Sequence, residues 1–228
     1  MSIRTTPFVR GEYYHIFNRG NDKQETYSSD ADYARFLIAL MLFQAPPTLQ
    51  APINNIRRLV RHLVQSQALN ITEENARALL KRRYVHLIAF TLMPNHFHCI
   101  VQELSTNGIS TYMQRVLTSY TKYRNTKHER TGHLFEGPFK SVHIEDDAQL
   151  TYCSAYVHRN PRELPGWRGR EHEYPWSSYR DYYSRNRWGT FLMPDIVLDL
   201  VGRGNRYRTF VEASGAKEKV IDPLLHID

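Results

Sequence analysis

The chain has 228 residues, of which 41% are hydrophobic and 23% are charged. This composition is typical of a globular protein that builds its own core, and no apolar run reaches the roughly 18 residues that a membrane span needs. The 30 lysines and arginines outnumber the 23 acidic residues, and the formal net charge of +7 favours a polyanionic partner such as nucleic acid.

Only two cysteines are present, Cys99 and Cys153, and both lie in apolar segments. The first residues contain no apolar stretch of the kind found in secretory signals. These features predict a reduced, cytoplasmic protein that contacts no membrane. The length fits one domain with extensions, or at most two small domains.

The first third of the chain predicts a strand, a helix and a basic helical insertion. Residues 13–18 favour a strand, and a helix is expected to begin at Asp30 or Asp32 and to end before Pro46. From about 46 to 83, apolar residues at helical spacing predict two more helices among many arginines and lysines. This basic face either contacts DNA or is an ordinary solvated surface.

Two histidines in the middle of the chain occupy alternate positions of a predicted strand. Apolar residues predict strands at 84–92 and 96–102, interrupted at Pro94. Because successive strand side chains alternate between the two faces, His96 and His98 point the same way and can together chelate one metal ion. An isolated pair at this spacing is more often two partly buried histidines bonded to polar neighbours, so other residues must decide.

A helix predicted at 148–160 carries two stripes of side chains. Its buried stripe consists of Leu150, Cys153 and Val157. Tyr152, Tyr156 and Asn160 follow at intervals of four on an adjacent polar face. Pro161 disfavours helical backbone at the preceding residue, which predicts that the helix ends at Asn160. The Asn160 amide oxygen can then be a hard metal ligand with the Tyr156 hydroxyl one turn away. Alternatively, both are ordinary polar residues at the end of the helix.

The order of these elements, with a further strand at 141–144 and short helices after 175, favours an α+β fold. The best single topology is a ferredoxin-like split βαβ core with a mainly antiparallel sheet and its helices on one face. To this core we add a helical insertion at about 46–83 and a helical C-terminal extension at 184–228.

Five sequence blocks resemble, in order and spacing, the REP-associated tyrosine transposases. These belong to the HUH endonuclease group and are related to the single-tyrosine transposases of small insertion sequences. The blocks are Met93-Pro94-Asn95-His96-Phe97-His98, Tyr120-Thr121-Lys122-Tyr123-Arg124-Asn125, Gly132-His133-Leu134-Phe135-Glu136-Gly137-Pro138-Phe139-Lys140-Ser141, Tyr156-Val157-His158-Arg159-Asn160-Pro161 and Pro175-Trp176-Ser177-Ser178-Tyr179. The resemblance assigns residues 1–183 to one catalytic domain, and the insertion has no counterpart in the compact insertion-sequence enzymes.

The resemblance implies metal-dependent nicking and strand transfer on single-stranded or hairpin-forming repeat DNA, by a monomer or a homodimer. It implies that His96, His98 and Asn160 hold a divalent ion, and nitrogen and oxygen ligands of this kind suit Mg²⁺ or Mn²⁺. It further implies that Tyr156 is the nucleophile and forms a 5′-phosphotyrosine link.

Three other tyrosines compete for the role of nucleophile. Tyr120 continues an apolar helix stripe and fits the core, Tyr123 can stack a base, and Tyr152 lies about 6 Å farther from the Asn160 end of its helix. The residues that we expect to contact DNA are Arg115, Lys122, Tyr123, Arg124 and Lys140.

Two other functions remain open on the sequence alone. A ferredoxin-like sheet also serves as the binding surface of nucleic-acid-binding modules that cleave nothing. A zinc hydrolase built on His96 and His98 is weaker, because no acidic residue stands at the spacing of the helical HExxH motif.

Overall fold

The computed structural model describes residues 7–46 and 56–217. Its strands are β1 (Tyr13–Arg19), β2 (Val85–Met93), β3 (His96–Glu103) and β4 (Lys140–Ile144), arranged in one sheet in the order β2-β3-β1-β4. Every neighbouring pair is antiparallel. Because β3 inserts between β1 and β2, this is the split βαβ order of the ferredoxin-like fold, and the predicted fold class is confirmed.

The helices of the described ranges are α1 (Asp30–Leu42), α2 (Ile56–Ser66), α3 (Glu73–Leu80), α4 (Gly108–Lys127), α5 (Asp147–Arg159), α6 (Tyr179–Tyr183), α7 (Asp195–Val201) and α8 (Asn205–Ala213). Side-chain caps mark the start of two of them. The Thr72 side chain accepts a hydrogen bond from the backbone N–H of Asn75, and Asp146 accepts one from that of Gln149. None of these helices has the length and apolar character to cross a bilayer.

Helices cover both faces of the sheet, so the prediction of helices on one face is wrong. Phe97 and Cys99 of β3 belong to a core shared with α1 and α4. Ile100, on the other face, packs in a second core with Leu150 and Val157 of α5. Apolar side chains point to both sides of β3, and both sides therefore need a cover that excludes water.

The C-terminal extension completes the second core. Val197 of α7 and Tyr207 of α8 are buried there together with residues of α5. The Tyr207 hydroxyl lies 2.6 Å from Nδ1 of His158, whose Nε2 lies 2.8 Å from the Ser178 hydroxyl. These buried hydrogen bonds tie α5 to the last quarter of the chain. Cys99 and Cys153 are both buried, and neither forms a disulfide within the described residues.

Candidate active site

His96 and His98 lie on the face of the sheet that α5 covers. Their ring centroids are 5.1 Å apart and the rings are nearly perpendicular. In the sheet register His98 pairs with Phe17 on one side and Thr91 on the other, while His96 is at the first position of β3. The predicted common orientation of the two imidazoles is confirmed.

Hydrogen bonding at one ring nitrogen of His96, Nδ1, leaves the other, Nε2, with an available lone pair. Its Nδ1 lies 2.7 Å from the Asn95 side-chain oxygen, and the Asn95 amide nitrogen donates to the carbonyl of Lys23. Because an amide oxygen only accepts, Nδ1 of His96 carries the proton and Nε2 can act as an acceptor or a metal ligand.

His98 is held in a similar way by a third histidine. Its Nδ1 lies 3.0 Å from Nε2 of His15 on β1. When His98 is the donor of this bond, its Nε2 also keeps a lone pair. His15 is a residue that sequence reasoning missed, although its place in an apolar strand was a visible sign of burial.

Asn160 reaches the pair from the end of α5. Its Nδ2 donates to the carbonyl of Tyr156 at 2.9 Å, which fixes the orientation of the amide. Oδ1 is buried and accepts no hydrogen bond of regular geometry, although the amide lies close enough to His96 to raise the pKa of that ring. An orphaned buried oxygen carries a free-energy cost that a cation ligand would remove.

The backbone at Asn160 differs from the prediction. Its φ of −51° and ψ of −41° are helical, and a 3-10 turn follows at Asn160–Glu163. Pro161 occupies the first turn of that 3-10 segment, where a missing N–H costs no hydrogen bond, and this offsets the steric preference against helical backbone before proline. The α5 helix still ends where predicted.

Tyr156 stands one turn before Asn160 and faces the histidines. Its ring centroid is 5.7 Å from that of His98 and 5.9 Å from that of His15. The helix that carries it is anchored to the sheet, since Thr91 Oγ1 donates to the carbonyl of Val157 at 2.7 Å. The four predicted site residues are thus brought together.

The donor set fits a divalent ion. His96 and His98 line one pocket, and the buried amide of Asn160 lies beside His96. This mixture of imidazole nitrogens and an amide oxygen suits Mn²⁺ or Mg²⁺. Among the described residues, no three or more His, Cys, Asp or Glu side chains cluster in a way that could hold a metal. A metal centre beside His96 and His98 would therefore need the amide of Asn160 as its third protein ligand.

Charged side chains surround the pocket, whose volume is about 230 Å³. Those that line it are Arg19, Glu136, Lys140, Glu163 and Lys217. Lys217 Nζ lies 4.6 Å from the centroid of the Tyr156 ring and 2.7 Å from a carboxylate oxygen of Glu163. Nothing local in the sequence predicts that Lys217, 61 positions after Tyr156, would reach this pocket.

Burial keeps the histidines neutral. It lowers the pKa of His96 to about 4, with a further contribution from the charges of Arg19 and Lys217. Burial also lowers the pKa of His98 well below its ordinary range, and the neighbouring His96 adds to this shift. Neutral imidazoles keep the lone pairs that metal binding requires.

A family sequence model described as "Transposase IS200 like" matches residues 53–160. This part of the chain is similar to the IS200-like transposases. The transposase match includes α2 and α3 of the predicted insertion and all four predicted site residues, while β1 precedes it. The class of function that this family supports is DNA transposition.

A solved structure with the same fold is described as a REP-associated tyrosine transposase bound to a REP hairpin. The similarity has a TM-score of 0.54 at 14% sequence identity, and it covers 86% of this chain and 93% of that chain. At this identity the similarity shows a shared fold. Both comparisons agree with the resemblance inferred from the sequence blocks. A comparison with curated proteins gives no match.

Two of the three rival tyrosines have structural roles. Tyr120 is buried, and its hydroxyl donates to the carbonyl of Thr26 at 2.7 Å. The Tyr123 hydroxyl donates to Asp32 at 2.8 Å. Both belong to α4, which packs on the opposite face of the sheet from His96 and His98.

The predicted DNA contacts divide into two groups. Arg124 is buried and pairs with Asp32 at 3.1 Å, an arrangement that favours a structural role over a phosphate contact. Arg115 is half-buried and donates to the carbonyls of Phe43 and Ala45 at the end of α1, which favours a structural role for it as well. These basic side chains satisfy buried acceptors, a use that composition does not reveal.

Lys122 and Lys140 are exposed and remain predicted DNA contacts. Lys140 lines the pocket of the candidate active site, whereas Lys122 lines a separate groove beside Phe135. Tyr123 is half-buried and also remains a prediction.

Proposed function

We propose that this chain nicks and rejoins single-stranded DNA, with Tyr156 as the nucleophile and with a divalent ion held by His96, His98 and Asn160. The observation that supports this most strongly is the buried Asn160 Oδ1, which lacks a regular hydrogen bond beside two neutral imidazoles and one turn from Tyr156. We propose Mn²⁺ or Mg²⁺ as the ion.

The chain's residues suit attack on a phosphodiester. The oxygen of Tyr156 forms a bond to phosphorus, the bond from phosphorus to the 3′ oxygen breaks, and the phenolic proton is passed through water to the leaving oxygen. The product is a 5′-phosphotyrosine and a free 3′-hydroxyl, and attack by a 3′-hydroxyl reverses the step. A bound ion would supply charge neutralisation and orientation at the phosphate.

The cations of the pocket assist this reaction. Lys217 lies over the Tyr156 ring, and positive charge at that place favours the phenolate form of the nucleophile. Arg19 and Lys140 line the same pocket and can bind the non-bridging oxygens of the phosphate. The substrate we propose is hairpin-forming repeat DNA, because the solved structure with this fold is bound to a REP hairpin.

Two alternatives are less well supported. A module that only binds nucleic acid has no need for a nucleophilic side chain beside an orphaned amide oxygen and two oriented histidines. A zinc hydrolase would require a third strong ligand, and the described residues contain no cluster of His, Cys, Asp or Glu that provides one.

The test is covalent capture. The purified protein is incubated with Mn²⁺ and with fluorescent hairpin oligonucleotides made from repeats that flank its gene, and the products are separated on a denaturing gel. We expect a protein–DNA adduct with the wild type and none with Tyr156→Phe. The matched control is Tyr152→Phe on the same helix, which should form the adduct. An adduct of equal yield with Tyr156→Phe would exclude this tyrosine as the nucleophile.

A further inference from the structure

A second pocket, between α1, α2 and α4, has the features of a nucleotide-binding site. Its volume is about 400 Å³. Its floor is formed by half-buried Val60 and Val64 of α2 and by the ring of Tyr123 of α4. Ala31, Gln65 and three arginines complete the lining. Arg57 and Arg61 are exposed, and the Arg35 guanidinium lies 5.3 Å from the centroid of the Tyr123 ring.

The Tyr123 ring is held in place before any ligand arrives. Its hydroxyl donates to Asp32 at 2.8 Å. Asp32 is fully buried and is also bonded to Arg124 at 3.1 Å and Lys127 at 2.7 Å. A ring fixed by this network loses little conformational entropy when a flat group packs against it.

We propose that this pocket binds an unpaired nucleotide of single-stranded DNA, with the base on Val60, Val64 and Tyr123 and the flanking phosphates at Arg57 and Arg61. An apolar and aromatic floor accepts the face of any base, and arginines accept phosphates. No acidic side chain lines the pocket within the described ranges, so its charge complements a polyanion. The inference rests on the proposed function in one respect, since it takes the ligand to be DNA.

The position of the pocket suits a DNA strand that continues beyond the proposed catalytic site. The backbone N–H groups of Thr26 and Tyr27, just before α1, donate to the carbonyl of Pro94 at 2.9 and 3.1 Å. Pro94 is two residues before His96. The pocket and the catalytic site therefore lie at the same end of the sheet on opposite faces, and a single strand can pass around this end.

The test measures binding of fluorescein-labelled oligothymidine, 15 nucleotides long, by anisotropy at several salt concentrations and without a divalent metal. We expect Arg57→Gln and Arg61→Gln each to weaken binding several-fold and to lower the salt slope by about 0.7 per lost phosphate contact. Arg58→Gln is the matched control, because it removes the same charge from the same helix outside the pocket. Equal affinity and slope in all three variants would overturn the inference.

The aromatic floor is tested separately. Tyr123→Phe keeps the ring and should bind the oligonucleotide within about twofold of the wild type, whereas Tyr123→Leu should bind about tenfold more weakly. Circular dichroism verifies that both variants fold. If Tyr123→Leu binds as tightly as Tyr123→Phe, the base does not pack on this ring and the inference is wrong.

The inference and the proposed function fail in different ways. Loss of oligothymidine binding in the arginine variants, together with an adduct that survives Tyr156→Phe, would support the pocket and exclude the proposed nucleophile. An adduct that depends on Tyr156, together with unchanged binding in the pocket variants, would support the proposed function and exclude the pocket. A wild type that does not bind oligothymidine would also exclude the pocket.

Discussion

His15 and His98 are joined by a hydrogen bond between Nε2 of the first and Nδ1 of the second, at 3.0 Å, across the two central strands of the sheet. His15 pairs with Ile100 in the register of β1 and β3, so the contact with His98 runs diagonally between the strands. Both rings are buried, and Nδ1 of His15 has no partner. This bond is therefore the one that orients His15, and it engages Nδ1 of His98 rather than Nε2.

The first prediction concerns this contact. His15→Ala should weaken Mn²⁺ binding about tenfold or more, because the ring of a proposed metal ligand loses the group that sets its tautomer. His15→Gln places an amide oxygen near the same position and should restore part of the affinity. Calorimetric titration with Mn²⁺ measures both, with thermal unfolding as a check on the fold. Identical Mn²⁺ affinities in the three proteins would make His15 an ordinary core residue.

The second prediction separates catalysis from DNA binding. His96→Ala and His98→Ala should each abolish the covalent adduct, since each removes a proposed ligand, while hairpin binding measured by anisotropy stays within a few-fold of the wild type. His86→Ala is the control, because His86 is a strand histidine bonded to Gln102 outside the site. Metal-dependent nicking that persists in both site variants would contradict the ligand assignment.

The third prediction compares an exposed lysine, Lys140, with a hydrogen-bonded arginine, Arg115. Lys140→Gln should lower the salt slope of hairpin binding by about one unit, because Lys140 lines the active-site pocket. Arg115→Gln should leave the slope unchanged and lower the free energy of unfolding, because Arg115 bonds to the carbonyls at the end of α1. The opposite pattern would mean that Arg115 meets DNA and that Lys140 is only a solvated surface residue.

The fourth prediction concerns the buried carboxylate of Asp32. Burial alone would raise its pKa, but hydrogen bonds from Lys127, Tyr123 and Ser28 outweigh burial and lower the pKa to about 2. Asp32→Asn should cost about 3 kcal/mol of unfolding free energy at pH 7, because Arg124 is left buried without its counter-charge.

The same carboxylate predicts a pH dependence. A pKa that is lower in the folded than in the unfolded chain stabilises the fold fully above about pH 4, the ordinary value for Asp, and this contribution is lost as the pH falls toward 2. The free energy of unfolding, measured with urea at pH 7, 4 and 3, should decrease less on acidification in Asp32→Asn than in the wild type. An equal decrease in the two proteins would show that other groups determine the loss of stability at low pH.

Much of the local structure was determined by the sequence itself. The alternation of side chains in a strand was enough to place His96 and His98 on one face, and helical spacing was enough to place Tyr156 and Asn160 one turn apart. Short-range capping chemistry located the starts of α3 and α5 at Thr72 and Asp146. These features depend on residues within a few positions of one another, whose backbone geometry is nearly independent of the rest of the chain.

Only the tertiary structure decided which side chains meet. The contact of His15 with His98 joins residues 83 positions apart and depends on the register of β1 against β3. The burial of Arg124 against Asp32, 92 positions away, depends on the packing of α4 on α1, and the approach of Lys217 to Tyr156 depends on where the C-terminal helices pack. Periodicity identifies the face on which a side chain lies, but the partner on that face is chosen by long-range packing and by the need to satisfy buried polar groups.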